Sequence, residues 1–203
     1  PETAVPGSYT NTTSGISGLY EGDEESSVGQ IAADVLFVEP VPRLTKSYVD
    51  DPVGSGGTVT LKFSITNTSP DKPATGIGFS DEFPAIIQSA AALPAGGFCG
   101  DGSSAQFQSP SFSSNGTLVI SGGNLDAAAS CTFQVVLNVI DGAPGGIYPN
   151  TTGAISAVVD GLAVSGDGAS DDLQVVGAPR LVKEFIADPV LPGATVTLEF
   201  TLS

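Results

Sequence analysis

Histidine, methionine and tryptophan are absent from the 203 residues, and lysine and arginine together number 6. The lack of histidine excludes the commonest general base and the commonest zinc ligand. Against the 6 basic residues stand 22 acidic ones, for a net charge of −16. A surface so one-sided repels nucleic acid and anionic membranes, which removes both as partners. It suits a long-lived soluble surface, or one that collects divalent cations. No stretch of about 20 apolar residues is available for membrane insertion, and helical periodicity is almost missing. There is no Gly-x-Ser-x-Gly, no phosphate loop and no cysteine–histidine pair. Paired carboxylates are plentiful but sit in turn-rich runs. Enzymatic turnover is therefore not expected.

Cysteine is scarce as well, with only Cys99 and Cys131. In an acidic chain rich in Gly, Ser and Thr, two cysteines beside Gly/Ser-rich loops read as one disulfide in an oxidising, extracellular compartment. The alternative is a pair of buried free thiols. A closed loop of about 30 residues would contribute roughly 3–4 kcal/mol through the unfolded chain.

What the chain has is repetition. Pro42-Arg-Leu-Thr-Lys46 returns as Pro179-Arg-Leu-Val-Lys183, and Thr58-Val-Thr-Leu61 returns as Thr195-Val-Thr-Leu198, an offset of 137 positions (Pro179 minus Pro42). Gly7-Ser-Tyr-Thr-Asn11 is echoed by Gly146-Ile-Tyr-Pro-Asn150 at nearly the same offset. A fixed period marks an array. Residues 1–39 read as the C-terminal part of a preceding repeat, 40–177 as one complete repeat, and 178–203 as the N-terminal strands of a following one. The chain is expected to be a piece of a longer protein.

Within the complete repeat, Val59, Leu61, Phe63 and Ile65 alternate with polar residues, the period of a half-buried strand. The echo keeps the rule: Val196, Leu198, Phe200 and Leu202 are expected to point inward, while Glu199 replaces Lys62 on the wet face. Further strands are expected at 75–83, 116–121, 132–140, 147–159 and 172–176. The segment 85–92 reads as a helical turn or an irregular edge strand. Short strands, regular turn signals and little helix predict an all-β, Ig-like Greek-key sandwich. Short proline-bearing linkers at 36–43 and 174–180 predict repeats stacked end to end as a stiff rod.

Three polar residues stand out at strand positions: Lys46 in Leu44-Thr-Lys-Ser-Tyr48, Asp81 in Phe79-Ser-Asp-Glu-Phe83, and Asn150 in Tyr148-Pro-Asn-Thr-Thr152. Lys46 and Asn150 have counterparts in the flanks, Lys183 and Asn11. Lys46 is followed by Gly56-Gly-Thr-Val-Thr-Leu61, Thr66-Asn-Thr-Ser69, Gly78-Phe-Ser-Asp-Glu-Phe-Pro84, Phe98-Cys-Gly100, Ser130-Cys-Thr-Phe133 and Gly146-Ile-Tyr-Pro-Asn-Thr151. In this order the motifs resemble the Ig-like repeat domains of bacterial and archaeal cell-surface proteins, relatives of the fimbrial domains that form internal isopeptide bonds. The resemblance implies a role in stalks, adhesins or fibres and no metabolic activity. It also implies that Lys46 is a nucleophile, Asn150 an electrophile and Asp81 a proton shuttle, with Tyr48, Phe83 and Tyr148 as walls. Burial lowers a lysine pKa and raises an aspartate pKa, so both groups can be neutral together. The alternatives are an unreacted network with Lys46 and Asp81 paired as ions, and three solvent-facing side chains.

The acidic runs give a second signal. They lie at 21–25, at Asp50 and Asp51, at Asp160, and at Asp167, Asp171 and Asp172. Calcium at Asp167, Asp171 and Asp172 is one reading, since it often rigidifies extracellular modules, but no stretch fits a standard calcium loop. A solvated acidic surface is the other reading. Of the sequons at Asn11, Asn67, Asn115 and Asn150, Asn67 and Asn115 fall at expected turns, where a glycosylating host could modify them.

Three functions are weighed. The first is a structural repeat of a cell-surface stalk or fibre, with neighbouring repeats as partners. The second is a filament subunit whose strands at 180–185 and 195–203 complete the sheet of an identical subunit. The third is an adhesin module with specificity in the loop 96–110, which ranks last because Phe98 and Phe107 are its only aromatics.

Overall fold

The computed structural model describes residues 5–19, 26–111 and 115–203. The described residues form eighteen strands. The N-terminal flank carries β1 (Gly7–Thr12), β2 (Ser17–Leu19), β3 (Ser26–Val28) and β4 (Ala33–Val38). The central part carries β5 (Arg43–Tyr48), β6 (Val53–Gly54), β7 (Thr58–Thr66), β8 (Ala74–Glu82), β9 (Ile87–Ala92) and β10 (Ser104–Gln108). It continues with β11 (Thr117–Leu125), β12 (Ser130–Val139), β13 (Gly146–Thr151), β14 (Ile155–Val159), β15 (Leu162–Gly166) and β16 (Ser170–Val176). The C-terminal flank is a hairpin of β17 (Leu181–Phe185) and β18 (Leu198–Leu202).

The centre is an all-β, Ig-like sandwich. One sheet has the order β10-β11-β8-β14-β15 and the other β5-β7-β12-β9, with a three-stranded sheet β13-β16-β6 at the side. Neighbours in space are seldom neighbours in sequence, as Greek-key crossovers require. The alternation read from the sequence sets the layers. On β7, Val59, Leu61, Phe63 and Ile65 are fully buried while Lys62 is exposed. On the paired strand β12, Phe133, Val135, Leu137 and Val139 face the same core. Phe63 lies at the centre, its ring 5.3 Å from Phe133 and 5.2 Å from Phe79 across the sandwich.

Segment 85–92 resolves into the edge strand β9 rather than a helical turn. The expected strand 147–159 is two, β13 and β14, which belong to different sheets. Strands β10 and β15 were not expected from the sequence; each is five residues long, lies at a sheet edge and buries little. The acidic run 21–25 lies outside the described residues.

Strand β16, which pairs with β13 and β6, also packs against β5. A Cβ on Gly166 would sit 2.6 Å from the Pro42 carbonyl oxygen, and further along the Tyr48 amide donates to Asp171 Oδ2 at 2.8 Å. Only glycine permits the first of these approaches. The end of β13 is held against β8 by a similar device. Thr152 bridges to Asp81, the Gly153 amide donates to the Ser80 carbonyl, and Gly168 approaches the Thr152 carbonyl too closely for any side chain.

The flanking hairpin repeats the pairing of the centre. Leu44 opposes Ile65 and Lys46 opposes Phe63, while 137 positions on (Lys183 minus Lys46) Leu181 opposes Leu202 and Lys183 opposes Phe200. At the other end Asn11 opposes Asp34 as Asn150 opposes Asp171. The inward face expected for β18 is not covered, with Phe200 59% and Leu202 73% exposed. In the centre that face is covered by the opposite sheet, and among the described residues nothing corresponds to it over the hairpin.

Cys99 and Cys131 form a disulfide with their Cα atoms 5.5 Å apart. It ties the loop after β9 to the start of β12, with Phe98 packed 4.4 Å from Phe133. Replacing both cysteines with alanine is expected to cost roughly 3–4 kcal/mol of unfolding free energy. Urea titration of the wild-type and Cys99→Ala/Cys131→Ala chains measures it.

Candidate functional site

The three polar residues each occupy the apolar phase of a strand. On β5, Leu44, Lys46 and Tyr48 point inward and Arg43, Thr45 and Ser47 outward. On β8, Asp81 follows Ile77 and Phe79 on the buried face. On β13, Asn150 is the buried position. Period two therefore drives a lysine, an aspartate and an asparagine into the same interior. Their residual exposures are 8%, 0% and 3%, so none of the three faces solvent.

The site is connected throughout. Lys46 Nζ lies 2.7 Å from Asp81 Oδ2 and donates to Asn150 Oδ1 at 2.5 Å. Asn150 Nδ2 donates to Asp81 Oδ1 at 2.8 Å and to the Glu82 carbonyl at 2.9 Å. The Tyr48 hydroxyl donates to Asn150 Oδ1 at 2.9 Å. Among the described residues no buried side-chain nitrogen or oxygen lacks a partner. One carboxyl group thus spans two nitrogens, the lysine amine on one oxygen and the asparagine amide on the other.

Burial sets the protonation. Removal from water pushes the Lys46 amine below the usual lysine range, against the pull of the Asp81 charge and hydrogen bond. The same desolvation pushes the Asp81 carboxyl up, against Lys46 and Asn150. Both shifts run toward the form in which the proton has passed from lysine to aspartate, a neutral amine beside a neutral acid. Burial, with Asp81, Asp171 and Asp51 adding, also pushes the Tyr48 phenol up, so it stays a donor.

Of the expected walls, Tyr48 lines the site and Phe83 is buried just beyond it, stacked on Phe107. Tyr148 is half-buried and gives its hydroxyl to the Pro144 carbonyl instead. Phe63 is a wall that inspection of motifs missed. Its ring centroid lies 5.9 Å from Lys46 Nζ, and the cross-strand register that opposes Lys46 to Phe63 is the signal that finds it. The flank counterparts Lys183 and Asn11 are exposed.

Asp171, singled out for calcium, accepts the Tyr48 amide and so fixes the backbone of β5 beside the site. Asp167 lines a shallow groove with Pro42 and Arg43, and Asp172 lies opposite Pro149. Among the described residues no three His, Cys, Asp or Glu side chains converge as a metal site. The expectation for Asn67 is corrected. It is buried, and its amide nitrogen donates to the Lys72, Leu125 and Asp126 carbonyls, which leaves no room for a glycan.

Residues 42–175 match a family described as a domain of unknown function, DUF7933. The chain belongs to that family. No curated protein matches it. Solved structures similar to this DUF7933 chain include a cohesin–dockerin complex (Coh-OlpA-Doc918) of Clostridium thermocellum, with 13% identity, TM-score 0.47, and coverage of 65% of this chain and 99% of that one. The major pilin SpaD of Corynebacterium diphtheriae is 13% identical, with TM-score 0.49 over 70% of this chain and 36% of that one. The major pilin subunit BcpA of Bacillus cereus is 10% identical, with TM-score 0.49 over 84% and 50%. At such values these likenesses carry no information on what the DUF7933 chain does.

An Asp81→Ala substitution leaves the buried Lys46 amine without its acid partner and is expected to cost about 3–5 kcal/mol. A second change, Lys46→Met, is expected to recover part of that loss, because no unpaired buried amine then remains. Urea midpoints of the two variants test this coupling.

Proposed function

We propose that the chain is a non-catalytic structural repeat of an extracellular stalk or fibre, closed by an isopeptide bond between Lys46 and Asn150. The observation that carries this reading is the single Asp81 carboxyl bridging the lysine amine and the asparagine amide in a dry site. In the reaction Nζ of Lys46 attacks Cγ of Asn150. The Nζ–Cγ bond forms, the Cγ–Nδ2 bond breaks, and ammonia leaves. The amine gives up one proton and the amide nitrogen gains one, and the carboxyl touches both atoms. Holding amine and amide in contact supplies the effective molarity that an uncatalysed aminolysis lacks. The bond forms once and nothing turns over.

The repeated strand register of the flanks supports a tandem array, since the hairpin of β17 and β18 carries the first pairing of the next repeat. The disulfide and the acidic surface suit an oxidising, extracellular setting.

The test is an intact mass of the full chain, denatured and reduced. The expected result is a deficit of one ammonia against the sequence mass, absent in Lys46→Ala and in Asp81→Asn. A wild-type mass equal to the sequence overturns the bond. The rate of closure is expected to be bell-shaped in pH, because the pair reacts while it holds one proton. At lower pH a second proton makes the amine an ammonium; at higher pH loss of the proton leaves the carboxylate none to pass on.

A second reading has the flanking sheets completed by identical subunits in a filament. It is favoured by the apolar side chains of the β17–β18 hairpin, with Leu181 65% and Phe200 59% exposed, which a sheet from a second copy would cover. Sedimentation velocity separates the two. Concentration-dependent association supports the filament, and a monomer at high concentration favours repeats joined in one polypeptide.

A further inference from the structure

We infer that the Tyr48 hydroxyl is the oxyanion donor of the Lys46–Asn150 reaction and thereby sets how fast this domain closes. The inference rests on the isopeptide reading and assigns a catalytic role that the amine–amide–acid set leaves vacant. As Nζ attacks Cγ, negative charge develops on Asn150 Oδ1. Three groups surround that amide. Asp81 is committed to the two nitrogens, through Oδ2 to Lys46 and Oδ1 to Asn150. Lys46 Nζ donates to Oδ1 in the unreacted state, but once it is bonded to Cγ it is the nucleophile and no longer an external donor. The group left facing the oxyanion is the Tyr48 hydroxyl, 2.9 Å away.

The donor is preorganised. Tyr48 is 7% exposed, stands two residues from Lys46 on the inward face of β5, and pairs with Leu61 across the sheet. Its backbone amide is pinned by Asp171. A fixed donor in a water-excluded site costs no reorganisation when the charge appears, and removing one such donor typically slows acyl transfer by about 10²–10³-fold. The corresponding residue of the following hairpin is Phe185, which has no hydroxyl and follows Lys183 at the same spacing.

The experiment starts from full chain recovered unfolded and unreacted, and refolds it by dilution. Folding is followed by circular dichroism and closure by intact mass in the same samples. Wild type is expected to lose one ammonia, and Tyr48→Phe to fold but lose it about 10²-fold more slowly. Equal rates overturn the role of Tyr48 while the wild-type deficit keeps the isopeptide reading. No deficit in wild type overturns both. If Tyr48→Phe does not refold, a fluorinated tyrosine at position 48 decides, since it keeps the shape and donates a stronger hydrogen bond. Faster closure than wild type supports the assignment, and unchanged or slower closure overturns it.

Discussion

The structure depends on a lysine and an aspartate held together without water. Two ions in such a place cost several kcal/mol each in lost hydration, and their attraction recovers this only with good geometry and fully satisfied hydrogen bonds. Both conditions hold. Lys46 and Asp81 have no exposed side-chain surface, and Asn150, Tyr48 and the Glu82 carbonyl complete the network. An interior pair of this kind is a poor choice for stability alone, because apolar residues of similar size would pack there at less cost. Its presence in the apolar phase of β5 and β8 is understood if the neutral form of the pair has chemistry to perform.

The surrounding architecture serves that contact. β5, β8 and β13 belong to three different sheets, so their meeting is a property of the whole sandwich. Asp171 holds β5 through the Tyr48 amide, and the Thr152 bridge holds the end of β13 against β8. Phe63 closes the floor, linked through Phe79 and Phe133 to the core of both sheets. A displacement of any of these strands would separate amine, acid and amide together.

Much of this was legible in the sequence. Alternation on β7 and β12 placed the core because one face of each strand is wholly apolar. The lysine, aspartate and asparagine were visible as polar residues in strands, and the repeat directed attention to two of them. Edge strands such as β10 and β15 were missed because each is only five residues long and its inward residues, Ala105 and Phe107 on one and Val164 on the other, are only partly buried. The split between β13 and β14 was hidden because both halves are strand-like in composition, and the change of sheet is decided by tertiary contacts at Thr152 and Gly153. Asp171 was read as either a calcium ligand or part of a solvated acidic surface, because acidic runs look alike in sequence. Only the approach of β16 to β5 shows that it accepts a backbone amide.

The position of the proposed bond fits a rod under tension. Lys46 lies on the first strand of the sandwich and Asn150 is 104 residues further on. A covalent link there carries a pull applied at the two linkers directly from β5 to β13. The intervening chain, which holds most of the core and the whole Cys99–Cys131 loop, bears none of it. With the proposed bond formed, the disulfide, lying inside that loop, would act on thermal stability rather than on extension. Only residues after Asn150 remain outside the link. They end in β16, which pairs in parallel with β6 and fixes the end of β5 through the Asp171–Tyr48 hydrogen bond. The proposed crosslink would therefore meet a pull on β5 before it reached the core, which gives a lysine on the first strand a purpose that stability alone does not.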